Sequence, residues 1–312
     1  GIAVALSACS SPEKKSEILA PGDILLTEFT TPFGVPPFDK IELDDYMPAF
    51  KEAIAQQQKE VDDIVGQTAA PDFENTIVAL DQSGSLLRKV NAVFSGLNSA
   101  NTNDEMQALS RELSPLLSKN SDDIRLNKDL FARVKTVYDN RESLNLNKEQ
   151  KKLLEETYKS FVRGGANLDA EQQARLRELN SEISMLQLTF GQNMLKETNA
   201  FQLVIENKDD LAGLPESLIL NAEVAARAAG LEGKWLFTLH NPSVMPFLQY
   251  ADNRALREKI FKAYINRGNN SNGNDNKNVV KELVAARLDK AKLLGYEDFA
   301  AFVLDENMAK NE

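Results

Sequence analysis

The stretch DAEQQARLRELNSEISMLQLTFGQNMLKET, residues 169–198, decides the fold class. Its apolar residues Leu176, Leu179, Ile183, Leu186 and Phe190 are spaced 3, 4, 3 and 4, which puts them on one stripe of an α-helix. Asp169 and Gln172 stand where a capping box would sit, each side chain able to satisfy an orphan backbone N–H of the first turn. Gly164-Gly165 supplies the break before it. A helix of this length is about 45 Å long at about 1.5 Å per residue, a rod suited to an elongated helical body.

Helical spacing also dominates on the N-terminal side of this rod. Phe50, Ile54, Val61 and Ile64 recur at near-helical intervals, with Asp44 or Asp45 as the cap. A second helix begins near Pro71-Asp72-Phe73-Glu74 and carries Ile77, Leu80, Leu86, Leu87 and Val90, with Gly84 as its weak point. A third covers much of Asp104 to Tyr138. Beyond the rod the pattern changes. Phe201-Gln202-Leu203-Val204-Ile205 and Lys234-Trp235-Leu236-Phe237-Thr238-Leu239 are short β-rich runs flanking a helix around Pro215 to Ala229. They are read as two strands of one small sheet. Helices resume at Ser243 to Ala251, Asn253 to Asn266, Asn276 to Leu294 and Tyr296 to Lys310. The expected fold is mostly α, an elongated helical lobe with one small β element at about 201–205 and 234–239.

Composition narrows the function classes. With 312 residues, 42% of them hydrophobic and 27% charged, the chain has the make-up of a globular protein rather than a disordered one. A net charge of -11 argues against nucleic acid, whose phosphates need clustered Lys and Arg. There is one Cys, Cys9, and one His, His240. No intrachain disulfide can form, and these two residues cannot supply the usual donor sets for zinc.

Familiar catalytic motifs are absent: there is no G-x-S-x-G elbow, no phosphate loop and no His-Glu-x-x-His. Gly230-Leu231-Glu232-Gly233-Lys234 reads as a turn before a strand. His240 lacks a candidate nucleophile and is read as structural. The run Asn269-Asn270-Ser271-Asn272-Gly273-Asn274-Asp275-Asn276 fails as a calcium loop. Gly268 and Val279 stand where its first and last acidic ligands belong, so it is read as a solvated loop that caps the next helix. The acidic pairs such as Asp122-Asp123 and Glu155-Glu156 are read as solvated faces, because adjacent helical residues point apart.

Several stretches, in order, resemble the thimet oligopeptidase family of zinc peptidases, especially its bacterial peptidyl-dipeptidase (dipeptidyl carboxypeptidase) branch. They are Phe38-Asp39-Lys40-Ile41 with Tyr46-Met47-Pro48-Ala49-Phe50, Phe73-Glu74-Asn75-Thr76-Ile77, and Phe161-Val162-Arg163-Gly164-Gly165-Ala166-Asn167-Leu168. Nearer the end come Pro246-Phe247-Leu248-Gln249-Tyr250, Arg254-Ala255-Leu256-Arg257-Glu258-Lys259 and Lys290-Ala291-Lys292-Leu293-Leu294-Gly295-Tyr296. The resemblance covers about Phe33 onward. It implies a helical body with a deep channel that admits short peptides, and zinc held by a His-Glu-x-x-His helix plus a downstream Glu. Those ligands belong to the family's C-terminal half, so no catalytic or metal residue is carried over to this sequence, and no metal is expected on these residues alone. The part present is expected to wall the channel, and to expose an apolar face where the catalytic half docks.

The N-terminus carries a separate signal. Ile2 to Leu6 are apolar, and Leu6-Ser7-Ala8-Cys9 resembles a bacterial lipoprotein box, with Cys9 as the lipidated residue. Residues 1–9 are therefore expected to be the end of a signal peptide, 10–32 a tether, and 33–312 the N-terminal lobe. The expected location is exported and membrane-anchored. Gly1 at the start and the stop at Glu312 directly after a helical pattern are read as the ends of a fragment. Two functions fit: part of a zinc peptidase acting on short peptides, inactive alone, or a stand-alone helical lipoprotein that binds peptides or another protein without catalysis.

Overall fold

The computed structural model describes residues 20–311. In chain order the elements are α1 (Asp23–Leu26), α2 (Leu43–Val65), a π-helical turn (Phe73–Val78) running into α3 (Ala79–Gln82), α4 (Ser85–Ala100), α5 (Asp104–Arg125), α6 (Lys128–Asp139) and α7 (Lys148–Arg163). There follow α8 (Ala170–Ala200), β1 (Leu203–Ile205), α9 (Glu216–Ala228), β2 (Trp235–Phe237), α10 (Asn241–Tyr250), α11 (Arg254–Ile265), α12 (Lys277–Leu293) and α13 (Phe299–Leu304). The chain is mostly α with one small sheet, as the spacing predicts. That sheet pairs β1 and β2 antiparallel, with Val204 opposite Leu236.

The long helix forms as expected. Asp169 accepts from the Gln172 N–H at 2.9 Å and Gln172 from the Asp169 N–H at 3.1 Å, closing the capping box. Gly165 makes the break, with φ at 95° and the Ala166 N–H bonded back to Phe161 O at 3.0 Å. A Cβ on Gly165 would stand 2.5 Å from a Leu176 methyl, so the glycine also lets α7 turn close over α8.

Other boundaries shift for local reasons. Glu42, not Asp44 or Asp45, precedes α2; Asp45 caps from inside by accepting from the Glu42 N–H at 2.9 Å. Gly84, left-handed at φ 69°, splits the second helix into α3 and α4. The expected helix over Asp104 to Tyr138 is two helices, because Leu126 turns into the core and the Asn127 side chain accepts from the Leu130 N–H at 2.9 Å to start α6. Helix α7 has no counterpart in the sequence reading. Only its Leu154 and Phe161 are buried, and charged residues fill most of its other positions. The helix expected over Tyr296 to Lys310 shrinks to α13, which Asp298 caps through the Ala301 N–H at 2.8 Å. The tether expected over 10–32 does not reach that far. Leu25 is fully buried, and the Gly22 N–H donates to Asp45 at 2.8 Å.

Three apolar clusters hold the lobe. One joins α1, α2, α4 and α5 around Tyr46, Phe50 and Phe94. A second joins the end of α2, the π-turn, α6 and α7 around Ile77, Leu130 and Phe161. The third gathers the sheet, α9, α10 and α11 around Phe237 and Phe247, whose rings meet edge to face at 4.7 Å. Helix α8 packs along α5 and α12 between them. Among the described residues no helix is long and apolar enough to cross a membrane.

Candidate functional site

A hollow of about 700 Å³ lies where α4, α5, α8 and α12 come together. Its chemistry follows from one face of α5. Ser110, Ser114, Ser118 and Ser121 recur at helical spacing and line the hollow together with Leu113, while Met106 and Leu109 turn into the core. Asn98 on α4 donates to the Ser110 hydroxyl at 3.2 Å, and Ser184 and Gln187 of α8 complete the polar lining. Phe94, Leu117 and Leu188 add apolar ground. Hydroxyls and amides both donate and accept, so such a lining suits a peptide main chain whatever its side chains.

A second recess of about 260 Å³ reaches toward α7 and α13 and shares Asp122, Arg125, Asn180 and Lys290 with the first. At this junction the Asn180 amide donates to Asp122 at 2.7 Å and accepts from the Lys290 ammonium at 2.7 Å. Burial pushes the Asp122 carboxyl up, against the opposing pull of Asn180, Arg177, Lys290 and Arg125. Burial also pulls Lys290 down, partly offset by Asp122. The neighbouring Asp123 is instead satisfied by Arg177 at 2.7 Å. The Asp122-Asp123 pair, read as a solvated face, is thus divided: Asp122 is buried and bound across to α8.

Toward the C-terminal end of α8 lies a buried carboxylate, Glu197. It accepts from the amides of Asn270 and of Asn272, the latter at 2.6 Å. Burial raises its pKa, but the donors Asn272, Asn270 and Asn274 and the Gly268 N–H outweigh that and hold it below the usual range. Asn276 is also buried and bonds to Asn193 at 2.9 Å and to Phe190 O at 3.2 Å. The asparagine run is the exposed loop the sequence suggests, with residues 269–273 on the surface and Asp275 accepting from the Lys277 N–H at 2.9 Å at the start of α12. It is also strapped to α8, because Glu197 gives two of its amides a common acceptor.

His240 precedes α10. Its Nδ1 meets Thr238 Oγ1 at 2.9 Å and its Nε2 meets Asn199 Oδ1 at 3.0 Å, tying the sheet, α8 and α10 together. A neutral amide as the third member cannot stabilise an imidazolium as a carboxylate would, so the geometry is that of a brace. Cys9 lies outside the described residues. Among the described residues no three His, Cys, Asp or Glu side chains gather where a metal could be held. They do not fit a catalytic zinc site, which takes about three protein ligands.

Two of the family-like stretches also meet in space. Arg163 donates to the Tyr296 hydroxyl at 2.8 Å, to Asp305 at 2.7 Å and to Phe302 O at 2.7 Å, fastening α7 to α13.

Comparison with known proteins agrees with that resemblance. Residues 247–312 match the family model described as Peptidase family M3. The chain is 41% identical over 287 residues to a dipeptidyl carboxypeptidase of Salmonella typhimurium, an alignment covering 92% of this chain and 42% of that protein. It is 40% identical to the dipeptidyl carboxypeptidase of Escherichia coli over 285 residues (91% and 42%) and 33% identical to oligopeptidase A of Escherichia coli over 285 residues (90% and 42%). These matches place the chain in peptidase family M3. It spans less than half the length of these curated relatives.

Proposed function

We propose that this chain forms a wall of the peptide channel in a zinc peptidase of the peptidyl-dipeptidase type. The observation that carries the reading is the 41% identity over 287 residues to a dipeptidyl carboxypeptidase, against 33% to oligopeptidase A. Release of dipeptides from the C-termini of short peptides is the activity this favours for the intact protein, with zinc supplied by residues beyond those described. The residues here bind and position. The hydroxyl- and amide-lined hollow between α4, α5, α8 and α12 is the stretch of wall we assign to the peptide main chain.

Exposed apolar pairs support a docking role for the rest of the lobe. Leu220 and Val224 on α9, Phe261 and Ile265 on α11, and Val280 and Val284 on α12 are each spaced by one turn, and each is at least 43% exposed. Such faces need a partner, and the catalytic half of the peptidase is the partner we assign. The 312-residue chain should therefore bind an apolar dye or self-associate, and a clean monomer without dye binding would count against it.

The decisive experiment compares hydrolysis by the isolated chain with that by its longer reading frame. With zinc, the chain should leave an N-acetylated tetrapeptide intact and the longer product should release dipeptides from it. A reading frame that stops at Glu312 would instead favour the non-catalytic binding lipoprotein. We further propose export with lipid attachment at Cys9; globomycin-sensitive processing that survives Cys9→Ala would refute it.

A further inference from the structure

We propose that Asn272 is a self-modification site. Its side chain is set to close on the Gly273 backbone nitrogen, lose ammonia and become aspartate or isoaspartate, and that change unfastens the 268–276 loop from α8. The chemistry is internal to this chain and needs nothing from a peptide or a catalytic half.

Asn272 is the only asparagine in the sequence followed by glycine. Glycine matters because no side chain shields its nitrogen, and a Cβ built on Gly273 would meet nothing within 4 Å, so the approach is open. Among the described residues the Gly273 N–H donates to no other group, which leaves the nucleophile free. The electrophile is prepared as well. The Asn274 N–H donates to Asn272 Oδ1 at 2.8 Å, an Asx turn. That bond closes a ring containing the Gly273 nitrogen and polarises the carbonyl at the oxygen where negative charge develops. Asn272 is exposed, so water reaches the leaving amide.

In the first step the Gly273 nitrogen gives its proton to solvent base and bonds to Asn272 Cγ. The Cγ–Nδ2 bond breaks, and Nδ2 takes a proton from water and leaves as ammonia. The product is a cyclic imide. In the second step a water opens the imide at either carbonyl. The result is aspartate at 272, or isoaspartate with the main chain running through the side-chain carbon. Each conversion consumes a water and releases an ammonia, with no change of oxidation state.

Glu197 turns this chemistry into a structural event. Its carboxylate accepts from Asn272 Nδ2 at 2.6 Å and also from Asn270. A carboxylate at 272 has no hydrogen to give and sets a second negative charge against a buried first one. The strap that held the loop then repels it. Asn276, at the far end of the loop, is buried and bonds to Asn193 and Phe190 O of α8, so the loosening bears on the packing of α8 with α12.

The test is to hold the full chain in mildly alkaline buffer and follow the loop by peptide mass mapping and enzymatic methylation of isoaspartate. Conversion should be concentrated at Asn272, well above that at Asn269, Asn270, Asn274 and Asn276, with an ammonia released for each chain converted. Gly273→Ala, at a position that is neither left-handed nor crowded, should keep the fold and lose the excess. Hydrogen exchange should quicken over residues 268–276 in the converted chain, and likewise in Asn272→Asp, while α5 stays protected. Conversion at 272 no greater than at its neighbours, or undiminished in Gly273→Ala, overturns the site. A native chain that converts far more slowly than the same chain in urea overturns it too, because the strap would then be protecting the amide. Conversion that leaves exchange in the loop unchanged overturns the release from α8.

Discussion

The two halves of α8 are built on different principles. In the first half Leu176 and Leu179 are each 1% exposed. Further along, Ile183 and Leu186 are half-buried and Phe190 is 38% exposed, although all five lie on one stripe. Polar contacts, which Arg177 and Asn180 also make beside the sealed end, hold this end without a sealed stripe. Gln192 donates to Gln107 O at 3.0 Å, Arg267 donates to Thr198 at 2.9 Å, and Glu197 gathers the asparagine loop. An apolar stripe thus establishes that a segment is helical, and the neighbours decide whether the stripe is sealed.

The comparison can be broken at several points. Leu179→Ala should cost about 2–5 kcal/mol in urea unfolding, the range for a large-to-small change in a sealed core. Leu186→Ala should cost clearly less; equal costs would mean that the two halves are packed alike. Next in size is Glu197→Ala, at about 1–3 kcal/mol, since it removes the charged acceptor shared by the Asn270 and Asn272 amides. Hydrogen exchange should then speed up over residues 268–276 and stay unchanged in α5. Protection that persists in the loop would show that the carboxylate is not what holds it.

The two buried carboxylates should also answer pH with opposite sign. Glu197 is held below its unfolded value, so its contribution is present above about pH 4.3 and is lost as the pH falls through its lowered folded pKa. Asp122 is raised by burial, so its charged form is a penalty at neutral pH, relieved as the pH falls through its raised folded pKa. Urea titrations from neutral to acidic pH should show the advantage of the native chain over Glu197→Gln shrinking on acidification. Relative to Asp122→Asn, the native chain should gain. Parallel curves would remove the distinction. The smallest effect is expected at the open end of the stripe, where Phe190→Ser should shift stability by no more than about 0.5 kcal/mol.

How much of this was legible depended on the range of the interaction. The capping box of α8 and the Gly164-Gly165 break could be read because their partners lie within a few residues. Helix α7 was missed although Leu154, Tyr158 and Phe161 recur at helical spacing with Leu153 and Val162 beside them, because this short stripe sits among charges. The break at Leu126-Asn127 was missed because Leu126 looks like one more core residue of a continuing helix. The attachment of the asparagine loop to α8 was not visible because its acceptor, Glu197, lies more than 70 residues away in the chain. The serine face of α5 had a visible signal, hydroxyls at helical spacing beside the apolar stripe of Met106, Leu109 and Leu113. Nothing local distinguished it from an ordinary solvated face.

The sequence by itself determined the helices, the pair of short strands and the family. It also determined that one His and one Cys cannot supply the family's zinc donors. Only the tertiary structure decided which polar residues share a hollow, that Asp122 and Lys290 meet across Asn180, and that Glu197 is buried. Periodicity is a property of neighbours along the chain, set by backbone geometry. Juxtaposition of residues 58, 75 or 110 positions apart depends on how helices pack, which no local pattern contains.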